Sequence, residues 1–344
     1  MKIFCHIPRE NWFCDRYGDE YSQHSSHAIT HTDLDCDIVW LLAPWCWNQI
    51  PTSVLKNKKV ICTIHHEVPW KFDESRKKQF MLRDAYVDAY HVPCLQTKQF
   101  IEQLTKKPVY QLAYWCNDEL WKRYDKLESK KYFNLPLDST IISSFQRDTE
   151  GSDLSTPKLE KGPDIFCDIV ERFSKKNKVH VLLSGWRRQY VIQRLKSAGI
   201  LFSYFELPVM DDLVRLYSAT DIYVVGARVE GGPQSILECS IMKTPIVSTD
   251  VGIAAQILPQ ECIITDPDVY DLKMPSSESI LAASNNAHKL TITSHAKKYD
   301  EFKKAYSGFS DRVPETKVDK EPSDYETVEE PLPEQHPELK ANFE

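Results

Sequence analysis

The chain has 344 residues, of which 42% are hydrophobic and 27% are charged, as in a globular protein with room for two cores. A formal net charge of −7 offers no basic face, and we expect no nucleic-acid partner. No apolar run approaches the ~20 residues of a membrane span, and the apolar segment 1–7 is too short for a signal peptide. We therefore expect a cytoplasmic protein.

The last part of the chain differs from the rest in composition. From residue 307 it is rich in Pro, Glu, Asp and Lys and holds few large apolar side chains. Such a segment cannot bury enough apolar surface to offset the entropy that ordering would cost. We therefore expect a disordered acidic tail over 307–344.

Ten cysteines are scattered along the chain without a Cys-x-x-Cys pair, and several stand in apolar runs such as 61–64. This pattern favours buried, reduced thiols over a disulfide framework. The adjacent histidines His65 and His66 lack the i,i+4 spacing of a zinc-binding helix. We therefore expect no metal site.

Strand-like and helix-like runs alternate from residue 2 onward. In the first part, apolar runs predict strands at 2–7, 37–43, 59–64, 89–93 and 109–114. Periodic runs between them predict helices at 72–88 and 97–105.

The second part of the chain repeats this alternation. Strands are predicted at 140–145, 179–184, 201–207, 221–225, 245–249 and 262–265. Helices are predicted at 163–175, 189–198, 211–219, 233–242, 277–288 and 294–306. Two successive series of this kind predict an α/β fold of two doubly wound, Rossmann-like parallel-sheet domains that face each other across a cleft.

The charged, turn-rich stretch 121–137 is the predicted boundary between these domains. We expect a first domain over 1–125 and a second over 126–293. The helix at 294–306 then closes the globular part, and the tail follows from 307 to 344.

The most informative motif is Glu-Gly-Gly-Pro-Gln-Ser-Ile-Leu-Glu, from Glu230 to Glu238, between the strand 221–225 and the helix 233–242. Pro233 suits a first helical turn, where its missing N–H has no intrahelical partner. Gly231 and Gly232 let another group approach the backbone at a helix N-terminus, which carries a partial positive charge. The motif predicts a pocket for a phosphorylated ligand, with one carboxylate at its mouth and one on its wall.

The helix is followed by Thr-Pro-Ile-Val-Ser-Thr-Asp-Val-Gly over 244–252, a second strand with a glycine turn. Together these segments resemble the GT-B glycosyltransferases of family 4, whose hallmark is two glutamates separated by seven residues. The resemblance covers 139–267 well and the first 125 residues by layout. It implies a nucleotide-sugar site in the second domain, an acceptor side in the first, and a last helix, 294–306, that crosses back to the first domain.

The resemblance assigns roles within the motif. Glu230 matches the glutamate near the transferred sugar, which stabilises positive charge at the anomeric carbon. Glu238 matches the glutamate that accepts hydrogen bonds from the ribose hydroxyls, and its two oxygens suit a vicinal diol. Backbone N–H groups between them would meet sugar hydroxyls or phosphate. This donor-binding segment comprises Gly231, Gly232, Pro233, Gln234 and Ser235.

Further donor-binding residues are implied by resemblance elsewhere in the second domain. Arg147 and Lys161 match cations that neutralise the diphosphate, because arginine can bind two phosphate oxygens and lysine supplies a compact charge. Gly185 ends a strand where the family often has a glycine-rich turn below the nucleotide. Val209 lies in the segment whose backbone usually contacts the base.

In the first domain, the strand before His65 resembles the family strand that ends in a histidine pointing into the cleft. His65 is therefore a candidate catalytic residue that binds the donor sugar or orients the acceptor. The loop 7–12 departs from the family pattern, because it has no glycine where the family often has two.

The resemblance implies transfer of a sugar from a UDP- or GDP-linked nucleotide sugar to an acceptor hydroxyl. It implies retention of anomeric configuration, with no catalytic metal and no cofactor beyond the donor substrate. The acceptor would be a glycan, a lipid-linked molecule or a small molecule, and peripheral membrane contact stays open. Two alternatives remain: a GT-B-fold sugar-nucleotide epimerase, and a catalytically silent nucleotide-sugar-binding or adaptor protein.

Overall fold

The computed structural model describes residues 1–7, 9, 13–151 and 154–307. The predicted disordered tail, apart from its first residue, and most of the loop 7–12 lie outside the described residues.

Six parallel strands form the first sheet, in the order β2–β1–β3–β4–β5–β6. They are β1 Lys2–His6, β2 Ala28–Thr30, β3 Ile38–Leu41, β4 Lys59–Thr63, β5 Ala89–Val92 and β6 Val109–Gln111. The connections contain α1 Phe13–His24, α2 Thr52–Asn57, α3 Glu74–Asp84 and α4 Leu95–Glu102, with short 3-10 helices at Pro44–Gln49 and Pro69–Lys71. β3 and β5 are buried along their whole length, as expected where helices cover both faces of a parallel sheet.

The second sheet also has six parallel strands, in the order β12–β11–β10–β7–β8–β9. They are β7 Thr140–Ser144, β8 Val179–Ser184, β9 Phe202–Phe205, β10 Ile222–Val225, β11 Ile246–Thr249 and β12 Ile263–Ile264. Its helices are α5 Lys126–Tyr132, α6 Pro163–Ser174, α7 Gln189–Ser197, α8 Met210–Ala219, α9 Gln234–Met242, α10 Ala254–Ile257 and α11 Ser277–Ala287. The predicted pair of parallel-sheet units is confirmed, while the residue bounds of the two domains stay predictions.

Among the α-helices and strands that the structure describes, five lie where the sequence analysis expects none: α1, β2, α2, α5 and α10. In α1 the strong helix formers are few and Gly18 stands mid-helix, where it fits against Ile7 and a Cβ would overlap that side chain. α5 falls inside the predicted boundary stretch 121–137. Asp125 caps its N-terminus, and Lys130 binds Asp221 in the second domain at 2.7 Å.

The last helix, α12 Ile292–Ser307, packs against α1 of the first sheet. The Tyr17 hydroxyl lies 2.7 Å from that of Tyr299, and Tyr21 donates to the Asp300 carboxylate at 2.7 Å. The Lys303 side-chain nitrogen is buried 3.3 Å from the ring centroid of Trp40, and burial lowers the pKa of Lys303 well below its usual value. Packing of this side chain against the aromatic rings helps to hold the chain's last described helix on the first domain.

All ten cysteines are buried and free. The predicted burial of these thiols is therefore confirmed. They serve as small apolar side chains in both halves of the molecule; Cys62, for example, packs beneath the first sheet and Cys239 beneath the second.

Candidate active site between the two sheets

The loop between β10 and α9 carries the glutamate motif to the carboxyl edge of the second sheet. β10 is fully buried, whereas the following residues turn towards the first domain before α9 begins at Gln234. Pro233 is the N-cap rather than the first helical residue, one position from the prediction. In an open α/β sheet, ligands bind beside the carboxyl ends of the strands, so the motif stands where a ligand is expected.

Glu230 forms an ion pair with Lys161, whose Nζ lies 2.5 Å from Oε1. Burial alone would raise the pKa of the Glu230 carboxyl, but Lys161 and His66 lower it below its usual value. The carboxylate is therefore ionised at neutral pH. Because Lys161 comes from the 3-10 turn before α6, the pair joins two loops at the same sheet edge.

His66 stands on the other side of Glu230, with Nδ1 3.9 Å from Oε2. Burial and the nearby Lys161 lower the pKa of His66 to about 4, so the imidazole is neutral at pH 7. The sequence analysis singled out His65 in this segment and missed His66. The signal was present in the adjacent pair of histidines, but only the folded chain decides which ring faces the second domain.

Both ring nitrogens of His65 have hydrogen-bond partners within the first domain. Its Nε2 lies 2.9 Å from the Leu42 carbonyl oxygen, which can only accept, so Nε2 carries the proton. Nδ1 then accepts from the Tyr114 hydroxyl at 2.5 Å. Burial and Lys161 leave the pKa of His65 at about 4, despite an opposing effect of the Leu42 carbonyl. The catalytic role predicted for His65 stays a prediction, for a neutral ring whose two nitrogens both have partners.

Gly231 and Gly232 do allow a close approach, and in this structure the approaching group is the first domain. A Cβ at Gly231 would overlap the backbone carbonyl oxygen of His65. A Cβ at Gly232 would come 2.9 Å from the Tyr114 ring. The glycines thus let the motif loop lie directly on the carboxyl edge of the first sheet.

The N-terminus of α9 presents further polar groups. The Nε2 amide of Gln234 is buried and has no hydrogen-bond partner within the described part of the chain. The helix has no side-chain cap and no acidic residue in its first turn. A buried amide donor without a partner is costly, and an uncapped helix N-terminus attracts anions, so this position fits an acceptor group from a ligand. Ser235, in the same turn, is half-buried.

Glu238 lies on α9 and is only 5% exposed. Its Oε1 accepts from Arg16 of α1 at 3.1 Å, and its Oε2 accepts from the Tyr217 hydroxyl at 2.7 Å. Burial raises the pKa of the Glu238 carboxyl, and Arg16 and Tyr217 act in the opposite direction. Both oxygens predicted to meet ribose hydroxyls therefore have protein partners here. The sequence analysis missed Arg16 and Tyr217, which lie far from the motif along the chain.

Arg147 lies beside Trp186, with its guanidinium carbon 5.6 Å from the ring centroid, and its Nε donates to the Thr149 carbonyl at 2.8 Å. Gly185, after β8, has a φ of +88°, and a Cβ there would come 2.7 Å from the Phe145 carbonyl oxygen. Glycine is thus needed for the turn. Val209, the N-cap of α8, is 68% exposed. The roles of these three residues stay predictions.

A second charged cluster, which the sequence analysis did not identify, joins the two domains. Lys71, from the 3-10 helix after β4, reaches the Glu150 carboxylate and lies 2.9 Å from Oε2 of Glu160. Glu160 directly precedes Lys161. The carboxyl edges of the two sheets therefore meet through opposite charges on both sides of the motif loop.

Among the described residues, no group of three or more His, Cys, Asp or Glu side chains is placed to hold a metal ion. None of the described helices is long and apolar enough to span a bilayer.

Residues 154–273 match the model of a family described as glycosyl transferases group 1. This segment is therefore similar to that family. It contains Lys161, Glu230 and Glu238, so the residues brought together by the fold fall inside the matched region.

A curated relative supports the same family. WclY of Escherichia coli, an O-antigen biosynthesis glycosyltransferase, is 22% identical over 181 residues, which are 52% of this chain and 46% of WclY. The chain thus spans about half the length of the curated relatives it matches.

Solved structures share the architecture of most of this chain. HepE of Anabaena, solved with UDP-glucose, superposes with a TM-score of 0.70 at 11% identity, over 88% of this chain and 99% of HepE. A glycosyltransferase of Rickettsia africae gives 0.62 at 13% identity, over 90% and 99%. The expected GT-B fold is confirmed.

Proposed function

We propose that the protein transfers a sugar from a nucleoside-diphosphate sugar to an acceptor hydroxyl. The observation that carries the proposal is the Glu230–Lys161 pair beside the uncapped N-terminus of α9, where the buried Gln234 amide has no partner in the described chain. The group 1 family match covers these residues. A diphosphate needs cations and N–H donors, and a sugar that develops positive charge needs a carboxylate.

Each residue of the pair has a distinct task in this proposal. The Lys161 ammonium leaves Glu230 when donor binds and neutralises the departing diphosphate. Glu230 stays ionised because its pKa is held low, and its carboxylate stabilises the anomeric centre. The anomeric carbon exchanges its bond to phosphate oxygen for one to the acceptor oxygen, and the acceptor proton leaves with the phosphate. We propose retention of configuration on the resemblance to family 4.

We propose a UDP-linked donor, with a GDP-linked one as the competing choice. HepE binds UDP and UDP-glucose, and its fold is shared over most of the described chain. We also propose that Lys161, Arg147 and the α9 N-terminus carry out the neutralisation that a metal performs in other transferases, so that turnover needs no metal.

We propose a glycan or lipid-linked acceptor and a cytoplasmic location. The similarity to WclY, named for O-antigen biosynthesis, supports an acceptor that is itself a saccharide. The ten free, buried thiols support a reducing compartment.

The first experiment tests donor binding by thermal stabilisation with UDP, GDP and UDP-glucose, each with magnesium and with EDTA. A ligand at 100 times its dissociation constant adds about 2.7 kcal/mol of stability. We expect UDP and UDP-glucose to stabilise the protein equally in both conditions. Lys161→Ala should weaken UDP binding about 10- to 100-fold, since one charged hydrogen bond contributes about 1.5–3 kcal/mol. Lys196→Ala, an exposed cation on α7, is the matched control.

Turnover is followed by UDP release from UDP-glucose with a panel of glycoside acceptors. Glu230→Gln should abolish release while UDP affinity changes little, and Glu278→Gln on the exposed face of α11 should match the wild type. Conversion of UDP-glucose into an isomeric sugar nucleotide without acceptor would favour the epimerase. Stabilisation by UDP-glucose without any turnover would favour the silent binding protein, and no stabilisation by any nucleotide would rule out the proposal.

A further inference from the structure

Exposed tryptophan is concentrated at one edge of the first sheet. Among the tryptophans that the structure describes, two are exposed: Trp45, at 45%, and Trp70, at 56%. Trp45 lies in the 3-10 helix after β3, and Trp70 in the one after β4. Both therefore follow the carboxyl ends of neighbouring parallel strands, on the edge that meets the glutamate motif of the second domain.

The 3-10 helix Pro44–Gln49 that carries Trp45 is held firmly by its neighbours. His6 Nε2 lies 3.2 Å from the Cys46 carbonyl oxygen, and Arg83 donates to the Pro44 carbonyl at 3.3 Å. Trp47 packs on the Tyr86 ring with centroids 5.7 Å apart. The residues on either side of Trp45 are buried or half-buried, while 45% of the Trp45 surface is exposed. A rigid support of this kind suits a pre-organised binding residue.

Trp45 also stands beside the candidate active site. Its ring centroid lies 5.9 Å from that of His65, at an interplanar angle of 44°. The backbone of His65 contacts Gly231, the residue after Glu230. Trp45 is therefore on the first-domain side of the cleft, close to the loop that carries Glu230.

We propose that Trp45 is the stacking platform for the sugar ring of a saccharide acceptor. This inference rests on the proposed function. The C–H groups on one face of a pyranose carry partial positive charge and are apolar, so they pack on the negative face of an indole. The ring's hydroxyls point outward from this contact, and one of them can face the donor. In this proposal Trp45 contacts the sugar ring and not a lipid or linker attached to it.

The test uses saturation-transfer NMR with methyl α-D-glucopyranoside, methyl β-D-galactopyranoside and methyl N-acetyl-β-D-glucosaminide as probes, each with and without saturating UDP. We expect saturation of the ring C–H protons of at least one glycoside in the wild type. Trp45→Ala should reduce the signal at least threefold, and Trp45→Phe should retain part of it because a smaller aromatic face remains. Tyr132→Ala, which removes an exposed aromatic ring from α5, should leave it unchanged.

Thermal stabilisation by UDP is measured on the same variants. Trp45→Ala should keep the UDP-induced shift, because the proposed platform lies outside the donor site, and a kept shift also shows that the variant is folded. If UDP stabilises the protein but no glycoside gains saturation, or if Trp45→Ala leaves saturation unchanged, this inference is overturned while the proposed function survives. If glycosides bind through Trp45 but no nucleotide binds, the sugar platform stands and the transferase proposal fails.

A final measurement separates a sugar from a lipid surface as the partner of Trp45. Wild type and Trp45→Ala are sedimented with phosphatidylglycerol vesicles, with and without 50-fold excess of the best glycoside probe. The platform predicts vesicle binding that is independent of Trp45. Vesicle binding that is lost in Trp45→Ala and unaffected by glycoside would overturn the proposal in favour of membrane insertion.

Discussion

At the scale of single residues, the contact between Arg16 and Glu238 links the two domains through a buried charge pair. Arg16 packs its guanidinium over the Trp121 ring at 5.5 Å and also lies 4.0 Å from Glu20. Burial would lower the pKa of Arg16, but Glu238 and Glu20 raise it above its ordinary value. Arg16 therefore stays charged, whereas burial raises the pKa of Glu238 against the opposing effect of Arg16.

Removing Arg16 alone should be costly. Arg16→Ala leaves the Glu238 carboxyl buried beside Tyr217 without a cation, and we expect the free energy of unfolding to fall by about 3–5 kcal/mol. Urea denaturation measures the loss. The double variant Arg16→Met with Glu238→Gln should recover most of it, because an isosteric neutral pair avoids the unpaired charge. A single variant as stable as the wild type would show that the pair contributes nothing to stability.

At the scale of elements, the β10–α9 loop and the end of β4 fit together because the loop has glycine at two positions. Gly231 has no left-handed φ, so its need for glycine comes from the contact with His65 and not from the backbone torsion. Gly199 is the opposite case, with a φ of +67° and open space around its Cβ position. A substitution at Gly231 therefore tests the steric contact, whereas one at Gly199 tests the backbone strain.

This difference gives a prediction for the variants. Gly231→Ala should push the two carboxyl edges apart, which raises the radius of gyration in small-angle scattering and abolishes turnover. Gly199→Ala should cost about 1 kcal/mol of stability through its torsion and leave the scattering curve unchanged. Identical scattering curves for Gly231→Ala and the wild type would contradict the role given to this contact.

At the scale of the whole molecule, buried neutral histidines make stability depend on pH. Burial lowers the pKa of His65, His66 and His295 to about 4 and that of His91 to about 3. An unfolded histidine titrates near pH 6.5, so between pH 6.5 and 4 the unfolded chain binds more protons than the native one. Stability must therefore fall as pH drops through this window.

We expect each of the four rings to contribute about 2–3 kcal/mol to the loss between pH 7 and pH 4.5, about 10 kcal/mol in total, seen as a lower urea midpoint. His91→Asn, which replaces a fully buried ring, should flatten the dependence at the cost of some stability at pH 7. His31→Asn, at an exposed position after β2, is the control for the substitution itself. A midpoint that is constant from pH 7 to 4.5 would contradict the neutral state assigned to these rings.

The sequence alone determined the layer architecture and the location of the motif. Apolar runs of strand length alternate with amphipathic helices such as α6 and α8. The spacing of apolar residues in each segment equals the residue period of the strand or helix that forms, so the element type can be predicted from the local sequence. The motif between β10 and α9 was equally readable, since glutamates, glycines and proline act within ten residues of one another. The helix α1 was missed because its apolar face is carried by tyrosines among polar residues.

Only the tertiary structure decided which residues meet. Arg16 lies 222 positions from Glu238 in the chain, and Lys161 lies 69 positions from Glu230. No local pattern encodes such contacts, because they arise where the carboxyl edges of two separately folded sheets come together. The same edge places His66 beside Glu230 and Trp45 beside His65. Sequence periodicity specifies which face of each element is buried, whereas packing of one domain on the other specifies the partners at the site.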